Sequence, residues 1–184
     1  MNKVFNIGFN KSGTTSLTRA CEVLGFRSLH WLYEDRRLCD VIEEEKSRNR
    51  RFFESLEDYN FFSDFNGKYY FRELDEQYPG SKFILTIRDL EGWLDSREKH
   101  VIRNQRDPDY KHDWLTVDRK AWAEDYWRYQ AELDAYFKDR SGDSLIMNIA
   151  GGDGWDTLAP FLGKEIPTVP FPVENRAASF ENIT

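Results

Sequence analysis

Short apolar runs alternate along the chain with stretches whose apolar positions recur at helical spacing, and this alternation predicts strands interleaved with helices. Residues 3–9 (Lys-Val-Phe-Asn-Ile-Gly-Phe) read as a short buried strand, and Thr14–Leu24 as a helix closed by Gly25. Residues 27–32 predict a second strand, and the charge-rich stretch Tyr33–Glu57 one or two solvated helices. A strand near Tyr59–Ser63 and a helix over 68–78 follow, the helix stopped by Tyr78-Pro79-Gly80. Lys82–Arg88 is the clearest strand in the sequence, with a helix expected from about Gly92 to Val101 and a polar loop over Asn104–Trp114. In Thr116–Arg140 the residues Trp122, Tyr126, Tyr129, Leu133 and Phe137 recur at helical spacing and mark a long helix packed on the sheet. A last strand at Ser144–Ile149 leads to Gly151-Gly152-Asp153-Gly154 and a short helix ending near Gly163. The proline-bearing tail, 166–184, is expected to wrap irregularly over the domain. The fold class expected is α/β, a single domain over 1–184 with a mostly parallel sheet and helices on both faces, and ligands at the carboxyl ends of the strands.

Length and composition fit that picture: 184 residues, 40% hydrophobic, 16% aromatic and 32% charged, describe one globular domain with a substantial core. The formal net charge of −7 argues against a general nucleic-acid binder, so any anion must be held by a local cluster of positive groups in a cleft. No apolar run approaches the roughly 18 residues a membrane span requires. A strand starting at Lys3 leaves no room for a signal peptide, and a cytoplasmic location is the expectation. Cys21 and Cys39 stand in no metal-ligand or disulfide pattern and read as half-buried thiols.

The chemistry centres on Gly8-Phe9-Asn10-Lys11-Ser12-Gly13-Thr14-Thr15, which follows a strand and opens a helix. In that setting backbone N–H groups and the helix N-terminus hold an anion. The segment is not a Walker A loop, because Thr14 stands where that motif needs its lysine. The lysine lies inside the loop instead. From there its ammonium is placed for the bridging oxygen of a phosphosulfate, with the Thr14 and Thr15 hydroxyls and the loop amides on the 5′-phosphate. The bland alternative is that Lys11 is only a solvated loop lysine.

Lys11-Ser12-Gly13-Thr14-Thr15 after an N-terminal strand resembles the 5′-phosphosulfate loop of sulfotransferases that use 3′-phosphoadenosine 5′-phosphosulfate (PAPS). A second motif is independent of the first: Arg88 at a strand end and Ser96 eight residues on reproduce the family's 3′-phosphate site. The likeness extends to Leu24-Gly25-Phe26, Phe62-Ser63-Asp64-Phe65, Tyr78-Pro79-Gly80-Ser81-Lys82, Gly152-Asp153-Gly154-Trp155 and Pro170-Phe171-Pro172, which resemble a branch of short sulfotransferase-like proteins. The resemblance implies a P-loop-NTPase-like sulfotransferase fold, with sulfuryl transfer from PAPS to a hydroxyl or amine and 3′-phosphoadenosine 5′-phosphate (PAP) as product. It assigns the donor site to Asn10, Lys11, Ser12, Gly13, Thr14, Thr15, Ser16, Arg88 and Ser96, with no metal required. Ser16 departs from the cytosolic pattern, which carries an adenine-stacking Trp at that place. The base that cytosolic members supply as a histidine at the end of the third strand falls here on Asp64, with His30 as runner-up. Asp64 alternatively caps the following helix or pairs with a lysine. His100 and His112 show no partner in the sequence.

Two further readings stay open. A P-loop phosphotransferase asks for an acidic magnesium ligand at a strand end, which Asp89 supplies, but lacks its lysine. A catalytically idle nucleotide-binding module of the same fold is the other. The acceptor, whether a small molecule, sugar or peptide, depends on variable loops such as Asn104–Trp114, and neither a nucleic acid nor a membrane span is expected.

Overall fold

A computed structural model describes residues 2–108 and 115–174. Most of the expected polar loop and the end of the tail lie outside these residues, as does His112. Seven strands form one sheet in the order β4-β3-β2-β5-β1-β6-β7. They are β1 (Val4–Asn6), β2 (Ser28–His30), β3 (Leu32–Tyr33), β4 (Arg36–Arg37), β5 (Phe61–Ser63), β6 (Lys82–Thr86) and β7 (Ser144–Met147). The helices are α1 (Thr14–Val23), α2 (Leu38–Ser47), α3 (Phe71–Gln77), α4 (Leu90–Gln105), α5 (Arg119–Phe137) and α6 (Trp155–Phe161). β2, β5, β1, β6 and β7 run parallel, while β3 and β4 form an antiparallel arm on the β2 edge. The chain is thus α/β with a mostly parallel sheet, as its alternating pattern predicts.

Three expectations need correction. Tyr33–Glu57, expected as one or two solvated helices, supplies part of the edge arm, then one α-helix, α2, which buries Leu38, Val41 and Ile42, then a short 3-10 turn at Glu54–Leu56. The arm exists because β2 leaves an unpaired edge that Leu32 covers by pairing with His30, a non-local constraint that charge patterning does not carry. The second is α4, which runs past Val101 to Gln105 because Arg103, Asn104 and Gln105 continue the helix without a breaker before Pro108. Cys21, moreover, is wholly buried rather than half-buried.

Strand residues alternate faces, and the two faces build two cores. Phe5, Ile7, Phe62, Phe83 and Leu85 pack with α2, α3 and α5, whereas Val4, Phe61 and Ile84 pack with α1 and α6. Phe5 is fully buried, with ring contacts to Phe53, Phe62, Phe65, Tyr78 and Phe83. Burying one such side chain contributes roughly 1.5–3 kcal/mol. The predicted stripe on α5 is buried as expected, from Trp122 to Phe137.

β1 lies between β5 on one side and β6 on the other. The chain leaves it to build β2 and β5, then crosses to β6, so the order reverses at the carboxyl end of β1. That is the place where open α/β sheets bind ligands. On the α1 face, one step beyond the apolar row, the strands end in Asn6, Ser63 and Thr86, buried and hydrogen-bonded to one another. The Asn6 amide donates to Ser63 Oγ at 2.9 Å, and the Thr86 hydroxyl lies 3.2 Å from Asn6 Oδ1.

Gly8 is where the chain passes closest to this row. A Cβ there would lie 2.1 Å from Thr86 Oγ1 and 2.6 Å from the Thr86 carbonyl oxygen, with backbone that cannot move aside. Gly8→Ala is therefore expected to cost about 1–3 kcal/mol through overpacking, a fall in Tm of roughly 3–10 °C by thermal denaturation. An unchanged Tm contradicts the close approach.

Candidate functional site

The segment between β1 and α1 is held from below and from the side. Ser12, 1% exposed, donates its hydroxyl to the Phe9 carbonyl at 2.5 Å and lies 2.7 Å from Thr86 Oγ1. With its proton on Phe9, Ser12 accepts at Thr86, whose single hydroxyl proton is shared between Ser12 Oγ and Asn6 Oδ1. The Gly8 N–H donates to Asn6 Oδ1 at 3.1 Å. From the other core, Tyr129 donates its hydroxyl to the Ile7 carbonyl at 2.9 Å, and from a third, smaller cluster with Val101 and Trp122 the buried indole of Trp93 in α4 donates to the Asn10 carbonyl, also at 2.9 Å.

With these bonds made inward, the turn faces outward. Lys11 (φ 68°) and Gly13 (φ 104°) take left-handed conformations, and Gly13 caps α1 without any side-chain hydrogen bond. The first turn of α1 carries no acidic residue, whereas α2, α3, α4 and α6 each carry one. An uncapped helix N-terminus presents unpaired N–H groups and partial positive charge, a match for an anion.

Not every loop side chain faces that anion position. The Ser12 hydroxyl is spent within the loop. Ser16 is 2% exposed and accepts a hydrogen bond from the Glu174 amide at 2.9 Å, so the tail crosses over it. The Thr14 hydroxyl lies 3.2 Å from His30 Nε2. Asn10 keeps a buried Oδ1 without a hydrogen-bond partner in the structure.

The second predicted cradle lies beyond β6. Tyr126 donates its hydroxyl to the Arg88 carbonyl at 2.6 Å and sits 3.2 Å from the Arg88 amide nitrogen, fixing that backbone. Arg88 Nε is buried and unpartnered, 3.8 Å from the Asp89 carboxylate. Asp89 itself caps α4, accepting from the Gly92 N–H at 2.6 Å. The residue that a magnesium-dependent phosphotransferase would need is thus a helix cap. No metal-ligating cluster occurs among the described residues. Ser96, half-buried, lies on α4 beyond this cap.

His30 and Asp64 end the neighbouring strands β2 and β5. His30 Nε2 is 3.7 Å from Asp64 Oδ2, and the two side chains are 26% and 25% exposed. Asp64 caps neither of the helical turns that follow, since these begin from Asn66 and Tyr70 without a side-chain cap. Burial raises the Asp64 carboxyl above the usual carboxylate range, opposed by His30 and Lys11, and makes it a better proton acceptor. Burial lowers His30, opposed by Asp64. Lys11 is lowered by burial first, then by Arg103 and Arg88, with Asp64 opposing.

The sequence does not reveal how α4, tied to the loop by Trp93, arranges its own cations. Arg97 lies over the rings of Trp93 and Trp122, at 5.4 and 4.6 Å from their centroids. Arg103 donates to His100 Nδ1 at 2.8 Å. Burial and the charges of Lys11, Arg103 and Arg97 push His100 down to about 4. The only sequence signal was the i, i+3 and i+4 spacing of Trp93, Arg97, His100, Arg103 and Asn104, which required α4 to continue past Val101. A separate hollow of about 230 Å³, lined by Phe83, Leu133, Phe137 and Leu145 among others, shares no residue with this cleft.

A model of the sulfotransferase domain matches residues 3–143 and 109–180. No curated protein matches the chain. No helix among the described residues is long and apolar enough to cross a membrane.

The His100 environment has a pH consequence. Its pKa is about 4 in the folded chain against 6.5 when unperturbed, so between these values the unfolded chain binds more protons and stability rises with pH. Acidification from pH 6.5 to 4.5 is expected to lower the urea midpoint more in the wild type than in His100→Gln. The imidazole NMR signal absent from that variant is expected to titrate near pH 4. A signal titrating near 6.5 contradicts the neutral, cation-flanked histidine.

Proposed function

The chain belongs to the sulfotransferase family, and on that premise we propose that it transfers a sulfuryl group from PAPS to a hydroxyl or amine acceptor. The observation that carries this reading is the pair of candidate anion cradles beyond adjacent strands: the uncapped α1 terminus with Lys11 after β1, and Arg88, whose buried Nε makes no hydrogen bond, after β6. The residues fit a nucleotide that bears phosphate at two places. The loop amides, Lys11, Thr14 and Thr15 hold the phosphosulfate end, and Arg88 with Ser96 the 3′-phosphate. Gly13 serves by its backbone, Asn10 through its orphan amide oxygen, and Ser12 and Ser16 by shaping the loop.

When bound, PAPS supplies an activated sulfuryl group whose S–O bond to the 5′-phosphate breaks as the bond to the acceptor oxygen or nitrogen forms. Such a transfer relies on alignment and charge stabilisation more than on covalent help from the protein. Lys11 stabilises the negative charge left on the departing phosphate oxygen. Its pKa, lowered by burial and by neighbouring arginines, recovers as that anion arrives, so the ammonium is strongest where the charge is. Asp64 takes the acceptor proton. His30, 3.2 Å from Thr14 and 3.7 Å from Asp64, orients the carboxylate against the loop.

PAP is expected to raise Tm by mass action, with ATP and magnesium doing much less. Lys11→Ala is expected to cut single-turnover transfer by roughly 10²–10³ with a smaller loss of PAP affinity, as loss of one preorganised donor does. PAP binding without transfer to any acceptor points instead to an idle module. Equal stabilisation by ATP overturns the donor assignment.

Asp64→Asn is expected to keep PAP affinity and Tm while lowering turnover by about 10²-fold, the scale of general-base catalysis. Turnover near wild type moves the base to His30.

A further inference from the structure

The sheet has two edges, and the chain protects only one of them. At the first edge β4 is just Arg36-Arg37, and both arginines are held by carboxylates of α2. A short, charged strand is a common way to keep an edge from adding another strand. At the other edge β7 is Ser144-Leu145-Ile146-Met147, twice as long and without charge or proline. It pairs on one side, with β6, and no described residue pairs with its other side. We infer that this edge pairs antiparallel with β7 of a second copy of the chain, with Leu145 opposite its own counterpart on a two-fold axis.

Backbone hydrogen bonds fix which groups point outward. The Phe83 and Ile87 N–H groups donate to the carbonyls of Asp143 and Met147 at 2.8 and 2.9 Å, so residues 143, 145 and 147 turn their backbone toward β6. Successive residues of a strand alternate, which leaves the N–H and C=O of Ser144 and Ile146 directed away from the sheet. An antiparallel copy centred on Leu145 sets Ser144 of each chain opposite Ile146 of the other and pairs all of these groups. The pairing ends with the strand. Beyond it the Asn148 N–H already donates to Asp153 at 2.6 Å, and the Asn148 carbonyl accepts from Gly151 and Asp153.

The side chains match this register. Ser144 and Ile146 stand beside Phe83 and Leu85, on the α5 face of the sheet. Ile146 is 46% exposed there and borders the hollow of about 230 Å³ that Leu133, Phe137 and Ser144 also line. In the pair, Ile146 of one copy lies over Ser144 of the other at the mouth of that hollow, and both isoleucines leave water. Leu145, on the opposite face with the α6 cluster, meets its counterpart in a pair without hydrogen bonds, Cα atoms about 4.5 Å apart. Charge favours a second copy as the occupant. A two-fold contact brings like residues together, so in a chain of net charge −7 a self-pairing edge has to be neutral. Residues 144–149 carry no charge, and Asp143, which would oppose Met147, is held by Arg140 at 3.1 Å. The tail is on the other side of the sheet, where the Glu174 amide bonds to Ser16 of α1.

The test uses the full chain. Sedimentation equilibrium across micromolar concentrations is expected to show a reversible monomer–dimer equilibrium. A chain that stays monomeric throughout overturns the inference and leaves the edge to a strand of another protein, and association that continues past the dimer overturns it as well, because a two-fold contact closes. Ile146→Lys is expected to weaken the dimer roughly tenfold or more by placing a charge on the pairing edge. Val23→Lys, at a similarly exposed apolar position on α1, is expected to leave it unchanged. A separate measurement reads the register. In a Cys39→Ser background, Leu145→Cys is expected to give a disulfide-linked dimer on mild oxidation, whereas Ile146→Cys, two residues out of register with its counterpart, is expected to give none. A dimer that is indifferent to Ile146→Lys, or that Leu145→Cys does not cross-link, overturns the inference. Should Ile146→Lys lose its fold by circular dichroism, the cysteine pair decides.

Discussion

The cleft depends on a buried row of small polar side chains at the ends of three strands. Asn6, Ser63 and Thr86 occupy positions where apolar residues would continue the core, and they hydrogen-bond instead to each other, to Gly8 and to Ser12. Unpaired, each would cost on the order of 1–3 kcal/mol, so the row is stable only when the turn after β1 closes over it in one arrangement. That closure forces Gly8 against Thr86, puts Lys11 and Gly13 into left-handed backbone, and turns the N-terminus of α1 toward solvent.

The long helix α5 completes the support through hydroxyls carried on aromatic rings. Tyr129 and Tyr126 bury their rings in the core and place their oxygens on the backbone at Ile7 and Arg88, one beyond each strand that leads to a proposed anion cradle. A single rigid element thereby sets the distance between the two cradles. Trp93 does the same between the loop and α4. The spacing of the two sites is then a property of packing rather than of loop conformation, and a ligand reaching both meets preorganised groups.

Charge is distributed in the opposite sense to the protein as a whole. A chain with net charge −7 brings Arg88 and Arg103 near enough to Lys11 to act on it, and burial weakens the hold of Lys11 on its proton. Among the described residues, the carboxylate that acts on Lys11 is Asp64, itself burdened by burial. Such a site is least comfortable when empty, which favours a polyanionic ligand and a carboxylate ready to accept a proton.

The sequence by itself determined the alternation of strands and helices, the turn from Gly8 to Thr15 between the first strand and the first helix, the arginine just beyond a strand end, and the buried stripe of α5. Each is local: periodicity, a glycine-bearing turn and a short spacing are written within a dozen residues. It did not determine that Asp64 is no helix cap but the neighbour of His30, because that depends on β2 and β5 lying side by side with Ser63 in register with His30. Nor did it reveal that Ser12 and Ser16 turn inward, or that Tyr126 and Tyr129 are props as well as core. These roles come from contacts between residues tens of positions apart, fixed only when two cores close on either face of one sheet. A hydroxyl or a guanidinium reads the same in a sequence whether it meets water, backbone or ligand, and tertiary packing alone decides which.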